Sequence, residues 1–131
     1  MRPAAALAAL TILGACSQAA SPGGDKFAGL DAAILKWRQD IIATNPLCRS
    51  TVEDQKCSSF EVACKAERTV TPTDQAKGVT ARVVTMITWN GFDPKFKHSQ
   101  SGTQAAEFTK TAAGWTRAEH KPVYMQSCAD M

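Results

Sequence analysis

The stretch VTARVVTMITW, residues 79–89, carries the strongest secondary-structure signal in the sequence. Seven of its eleven residues are β-branched, and such residues fit the pleated surface of a sheet. A Pro-Thr-Asp turn sequence with a following glycine precedes it at 72–78, and Asn90-Gly91 follows it. Residues 79–89 are therefore predicted to form the strongest strand in the chain.

Weaker signals predict further strands on either side of this one. Apolar and polar residues alternate over 60–70, which is typical of a half-buried strand. Residues 103–110 and 114–120 are predicted to form a final hairpin around Ala112-Ala113, and 123–126 a short edge strand. Consecutive strands joined by short turns favour an antiparallel sheet.

One helix is predicted ahead of the strands, over residues 26–44. Its apolar residues recur three and four positions apart, which places them on one helix face: Phe27, Leu30, Ile34, Trp37 and Ile41. Asp25 is the predicted N-cap, and Asn45-Pro46 ends the helix. The predicted fold class is α+β, with one N-terminal helix packed on a curved antiparallel sheet of about four strands.

The closing segment AEFTKTAAGWTRAEHKPV, residues 106–123, resembles the last hairpin of cystatin-like and nuclear-transport-factor-2-like domains. In those families a strand ends in charged residues, a short glycine turn follows, and a tryptophan opens the next strand. Gly114-Trp115 occupies that position in this chain. The resemblance implies the same order of a helix followed by antiparallel strands.

The chain begins with a leader that resembles a bacterial lipoprotein signal. Arg2 supplies positive charge, residues 4–13 form an apolar run too short to span a membrane, and small residues precede Cys16. Leu13-Gly14-Ala15-Cys16 resembles a lipobox. This resemblance implies a signal peptide over 1–15, lipid on the thiol of Cys16, and, because Ser17 follows, an outer-membrane location facing the periplasm.

The leader divides the predicted chain into three parts. After the signal peptide, residues 16–25 are small and polar and are predicted to form a lipidated tether. Residues 26–131 have the length of one globular α+β domain. Removal of Arg2 leaves a net side-chain charge of +2, so nucleic acid is not an expected partner. The expected partners are the membrane, through lipidated Cys16, and an envelope protein or glycan.

Four cysteines remain once Cys16 is assigned to lipid: Cys48, Cys57, Cys64 and Cys128. An even number in an exported chain predicts disulfides, and three pairings are possible. We favour Cys48 with Cys57 and Cys64 with Cys128, which makes the predicted domain disulfide-stapled. No Cys-x-x-Cys occurs and the spacings do not match common zinc sites, so no metal is expected.

No motif for catalysis is found. His98 lies beside Ser99 and Ser101, but a catalytic triad is assembled in space and needs an orienting carboxylate. His120 follows Glu119, and nothing in the spacing of the histidines and carboxylates demands a metal. Phosphate-loop and dinucleotide-binding sequences do not occur. We therefore expect no catalytic residues and no cofactor.

The feature most suited to binding is a predicted loop over 90–102. In it Phe92 and Phe96 alternate with Lys95, Lys97 and His98, and binding residues are often placed on long loops. One interpretation is a contact surface for a protein, a glycan strand or an anionic lipid head group. The other is that both phenylalanines pack beneath the loop and the lysines are solvated.

These features predict a non-enzymatic, membrane-anchored interaction or accessory module at the bacterial cell envelope. An alternative is an inhibitor or small-ligand-binding lipoprotein that uses the sheet surface or the loop. A deep apolar cavity between helix and sheet would favour small-molecule binding. A further alternative is a small hydrolase, which would require His98 or His120 to lie within hydrogen-bond reach of a carboxylate in a pocket.

Overall fold

The computed structural model describes residues 25–131. The predicted signal peptide, the lipobox with Cys16, and the tether up to residue 24 lie outside the described residues. The described chain contains two helices and four strands: α1 Leu30–Thr44, β1 Ser58–Arg68, α2 Pro72–Ala76, β2 Ala81–Asp93, β3 His98–Thr111 and β4 Gly114–His120. Two short 3-10 turns, Pro46–Cys48 and Glu53–Gln55, connect α1 to β1.

The four strands form one open antiparallel sheet in the order β1-β2-β3-β4. The longest pairing joins β2 to β3 without interruption from Ala81 opposite Lys110 to Asp93 opposite His98. The α+β prediction of a helix with about four antiparallel strands is confirmed. Within residues 25–131 no helix is long and apolar enough to cross a membrane.

One face of the sheet is covered by α1. The helix buries the predicted apolar stripe against side chains of β2 and β3: Leu30, Ile34, Trp37 and Ile41 against Val83, Ile87, Trp89, Ala106 and Phe108. Trp37 lies at the centre, with its ring edge-on to that of Phe108 at 5.8 Å between centroids. Its indole N–H donates to Oε1 of Gln104 at 3.3 Å, so the buried polar group is satisfied.

The helix begins later than predicted. It starts at Leu30 and not at residue 26, because Gly29 adopts a left-handed conformation with φ of 85° and separates the helix from a turn over 25–28. The Asp25 carboxylate accepts from the N–H of Phe27 in that turn and does not cap α1. The predicted end is confirmed, since Asn45 follows the last helical residue.

The other face of the sheet is covered by the C-terminal strap, residues 121–131. Val123 and Cys128 are buried against Val84 and Met86. The predicted edge strand over 123–126 is wrong. The chain instead turns back at Tyr124, whose carbonyl accepts from the N–H of Cys128 at 2.8 Å, and only one isolated bridge joins Val123 to Asp130.

Both favoured disulfides are present in the structure. Cys48 pairs with Cys57, with 5.0 Å between their Cα atoms, and Cys64 pairs with Cys128 at 5.6 Å. The first closes the segment between α1 and β1. The second fastens the strap to β1, across 64 residues of sequence.

The predicted long loop over 90–102 is also wrong. Strand β2 continues to Asp93 and β3 already begins at His98, so only a four-residue turn over 94–97 connects them. Asp93-Pro94 does not break the hairpin, because proline has the backbone angle required at the second position of a β-turn. The residues predicted to form a loop are therefore largely paired strand.

The two disulfides are expected to differ in their contribution to stability. Replacing Cys64 and Cys128 by alanine should lower the free energy of unfolding by about 4 kcal/mol, against about 2.5 kcal/mol for Cys48 and Cys57, because the longer loop gains more entropy on unfolding. Urea denaturation of both double variants measures the difference. An equal or reversed order would contradict this account.

Gly102 is expected to be intolerant of a side chain. It lies opposite Trp89, and a Cβ atom placed on it would overlap the Trp89 indole. Gly102→Ala should cost about 1–3 kcal/mol through overpacking. Thermal unfolding should show this loss, whereas Ser101→Ala at the exposed neighbouring position serves as the control and should be nearly neutral.

Candidate functional site

The sequence-predicted binding residues lie together at the end of the β2–β3 hairpin, which we call the hairpin tip (residues 92–98). Phe92 is the second-last residue of β2, His98 begins β3, and Lys95, Phe96 and Lys97 lie in the connecting turn. The structure therefore brings all five predicted residues into one region. It presents them at the paired strand ends and in the four-residue turn between them, and not on a long loop.

The turn is organised by the carboxylate of Asp93. Its Oδ1 atom accepts from the backbone N–H of Lys95 at 2.8 Å and of Phe96 at 3.0 Å. The backbone carbonyl of the same residue accepts from the N–H of Lys97 at 2.8 Å. The bond from Phe96, helped by that from Lys95 and by the charges of His98 and Lys95, lowers the pKa of Asp93.

The side chain of Phe96 points into solvent and is 66% exposed. Its ring stacks on the His98 ring at 6.2 Å between centroids, and the Lys95 ammonium lies 5.3 Å from the ring centroid. Phe92, in contrast, is half-buried. An apolar ring of this size, flanked by cations and held by local contacts, is a ready anchor for binding.

An open groove of about 590 Å³ lies at the base of the hairpin tip. Its lining combines hairpin residues with residues of the Cys48–Cys57 loop: Phe92, Pro94 and Lys97 with Arg49, Ser50 and Gln55. Among these six lining residues, Arg49 and Lys97 are cationic and none carries a carboxylate. The hairpin tip and its groove therefore form one basic, partly aromatic surface.

The Cys48–Cys57 disulfide closes the loop that forms one side of the groove. The loop packs against β2 at Gly91, where an added Cβ atom would lie 2.7 Å from the Leu47 Cβ and 3.3 Å from the Cys57 sulfur. The absence of a side chain at Gly91 thus permits this close approach. Sequence reasoning missed Arg49, because no local pattern indicates that it would line a groove with Lys97.

The two histidines do not share a site. His98 lies at the hairpin tip, and His120 pairs with Ala105, seven residues further along β3 and so about 23 Å away. The Nε2 atom of His120 lies 3.7 Å from an Asp130 carboxylate oxygen. Across residues 25–131 no group of three metal-ligating side chains is found.

The interior between α1 and the sheet is filled by side chains. Trp37, Ile87 and Phe108 are each at most 2% exposed there. The concavities that flank the helix are surface grooves, such as one of about 320 Å³ between α1 and β4. Its rim carries the ion pair of Arg117 with Asp40 at 3.5 Å.

The turn at the hairpin tip is expected to depend on pH. The pKa of Asp93 is lower in the folded protein than its unfolded value of about 3.9. The ionised carboxylate therefore stabilises the turn fully when the pH is above that unfolded value. This stabilisation is lost as the pH falls through the lower folded-state pKa. Hydrogen exchange of the Lys95 and Phe96 amides between pH 6 and pH 2 should show loss of protection over that window.

Asp93→Asn is the matched variant, because it keeps the acceptor oxygen but has no charge to lose. It should show weaker protection at pH 6 and no change across the same window, while the Val84 amide in the buried sheet reports any global unfolding. Identical pH profiles for the two proteins would refute the assigned role of Asp93.

Neither a protein-family model, nor a curated protein, nor a solved structure matches this chain.

Proposed function

We propose that this protein is a lipid-anchored periplasmic domain that acts as a non-enzymatic interaction module at the bacterial cell envelope. The observation that carries the proposal is Phe96, 66% exposed between Lys95 and Lys97 at the end of a paired hairpin. The partner is an envelope protein that offers an apolar pocket with acidic groups around it. The hairpin tip and its groove make the contact.

The chemistry of the hairpin tip supports a protein partner. A phenylalanine contributes binding energy when its ring enters a pocket, and a few such residues supply most of the affinity of an interface. Lys95, Lys97 and Arg49 around it favour an acidic surface and speed the encounter. Because the Asp93 turn and the disulfide already order these groups, little conformational entropy is lost on binding.

The envelope location is supported by the leader and the disulfides. Leu13-Gly14-Ala15-Cys16 resembles a lipobox, and acylation at Cys16 would supply a stable anchor in the outer membrane. Two disulfides are typical of an oxidising compartment such as the periplasm. The intact mass of the protein extracted from its native membrane tests the anchor. An unmodified Cys16, or cleavage elsewhere, would overturn this part of the proposal.

Binding of a small ligand has less support. The groove between the 25–31 segment and β1 has a volume of about 420 Å³, but two of its three carboxylates, those of Asp31 and Glu67, are already ion-paired. Lys65 lies 3.1 Å from Asp31, and Lys26 pairs with Glu67. Polar groups that converge on a bound molecule are the usual mark of a ligand site. We therefore assign function to the hairpin tip.

The test is photocrosslinking of the full-length protein in its native membrane. Replacing Lys95, Phe96 and Lys97 by alanine should reduce the captured partner at least about tenfold, since a buried aromatic anchor and two cations are lost. The control variant also loses two lysines and one exposed apolar side chain, but away from the hairpin tip. It carries Lys36→Ala, Lys77→Ala and Leu35→Ala. Leu35 is 52% exposed on α1.

The control variant should capture the partner as the unchanged protein does. Equal capture by the hairpin-tip variant, with unchanged thermal stability, would overturn the proposed function. Capture that disappears when the glycan is digested would replace the protein partner with a glycan strand and would overturn the assignment of partner class.

A further inference from the structure

The two outer strands of the sheet differ in how open their edges are. Strand β1 is irregular, with register shifts between Ser58 and Glu61 and between Val62 and Cys64, and with a left-handed Ser59 at φ of 56°. Such bulges discourage pairing with another strand. Strand β4 pairs with β3 without any shift, so its outer edge is regular over its whole length.

The outward backbone groups of β4 belong to alternate residues. The two-residue turn after Thr111 closes the hairpin with Gly114, so Gly114, Thr116 and Ala118 exchange their hydrogen bonds with β3. The amides and carbonyls of Arg117 and Glu119 then point away from the sheet. No backbone hydrogen bond from another segment within residues 25–131 reaches them.

The charges on β4 are self-complementary in one register. If a second β4 runs antiparallel with the two Ala118 residues opposite each other, Arg117 of each copy faces Glu119 of the other. Both are outward-directed residues, so they form the hydrogen-bonded pairs of the new ladder. Centring the pairing on Arg117 or on Glu119 would place like charges opposite, which is destabilising.

The edge formed by β4 is accessible to a second copy, although the Arg117 side chain also contacts Asp40. Residues 116–119 are all exposed. The Arg117 guanidinium is already positioned, since it lies 5.7 Å from the Trp37 ring centroid and 3.5 Å from the Asp40 carboxylate. Glu119 makes no ion pair with the described residues.

We propose that two copies of this chain associate through β4, in the register centred on Ala118, to form one continuous eight-stranded antiparallel sheet. A two-fold axis at Ala118 makes the interface isologous, with the same residues contributed by each copy. The proposal does not depend on the hairpin tip, which lies at the far end of β3 from the β4 turn.

Charge reversal tests the register in solution. Arg117→Glu and Glu119→Lys should each weaken self-association about tenfold or more, because both symmetric pairs become repulsive. A mixture of the two variants should associate again, since positions 117 and 119 then carry opposite charges in both facing pairs of the mixed dimer. Sedimentation equilibrium over a concentration series measures all three. Lys77→Glu, at the exposed end of α2, is the control and should leave association unchanged.

A cysteine placed at the two-fold axis gives a second readout. Residues opposite each other in a non-hydrogen-bonded antiparallel pair have Cα atoms about 4.5 Å apart, which a disulfide can span. Ala118→Cys should therefore form a covalent dimer on mild oxidation. Thr116→Cys should not, because in this register it faces His120.

Three results would overturn the proposal. The first is a wild-type protein that stays monomeric up to the highest soluble concentration. The second is a mixture of the two charge variants that does not associate. The third is equal crosslinking by the Ala118→Cys and Thr116→Cys variants. Thermal unfolding of each variant shows that the fold is retained. Glu119→Lys is the cleaner of the two charge variants, since Arg117 also contacts Asp40.

Discussion

Strand β2 is buried on both of its faces, and this burial organises the fold. Val83, Ile87 and Trp89 point to one face, while Val84 and Met86 point to the other. A strand that is apolar on both sides loses its stabilisation unless both sides are removed from water. The chain therefore needs a cover on each face, and α1 supplies only one.

The second cover explains the Cys64–Cys128 disulfide. The strap has little regular structure of its own, with a single isolated bridge and one turn, so its backbone is held by few hydrogen bonds. A covalent link to β1 keeps Val123 on the sheet at low entropic cost. A hydrogen bond from Arg68 to the Cys128 carbonyl, at 2.8 Å, strengthens the same attachment.

The long β2–β3 pairing also positions the proposed binding surface. The two strands remain paired to Asp93 and His98, past the α1 contact, so the hairpin tip is carried by a continuous ladder. The Cys48–Cys57 disulfide adds Arg49 beside it. The same strand, β2, is buried in the core and carries the hairpin tip. The order of the hairpin tip therefore follows from the packing of the core.

Most of the helix and strand positions were predictable, and the errors have physical causes. The stripe from Leu30 to Ile41 and the β-branched run of β2 carry strong periodic signals, and both are confirmed. Asp93-Pro94 was misinterpreted because the same dipeptide can end a strand or form a tight turn. Which occurs depends on whether the following residues find a partner strand.

The sequence singles out the five residues of the predicted binding loop, but it does not indicate their arrangement. Their composition, aromatic residues interleaved with cations, is a local property. The exposure of Phe96 and the half-burial of Phe92 depend on which side of the hairpin faces the disulfide loop. The contribution of Arg49 is likewise a long-range contact, and nothing in the local pattern indicates it.

The helix stripe, the central strand, the α+β class and the cysteine pairs are predictable from sequence, because they follow from local periodicity and side-chain chemistry. The same local chemistry is the basis for proposing the binding residues. The folded chain alone shows that the strap covers the second face, that Asp93 closes a tight hairpin, and that β4 is the regular open edge. These features depend on contacts between residues distant in the chain, where burial of β2 outweighs local preference.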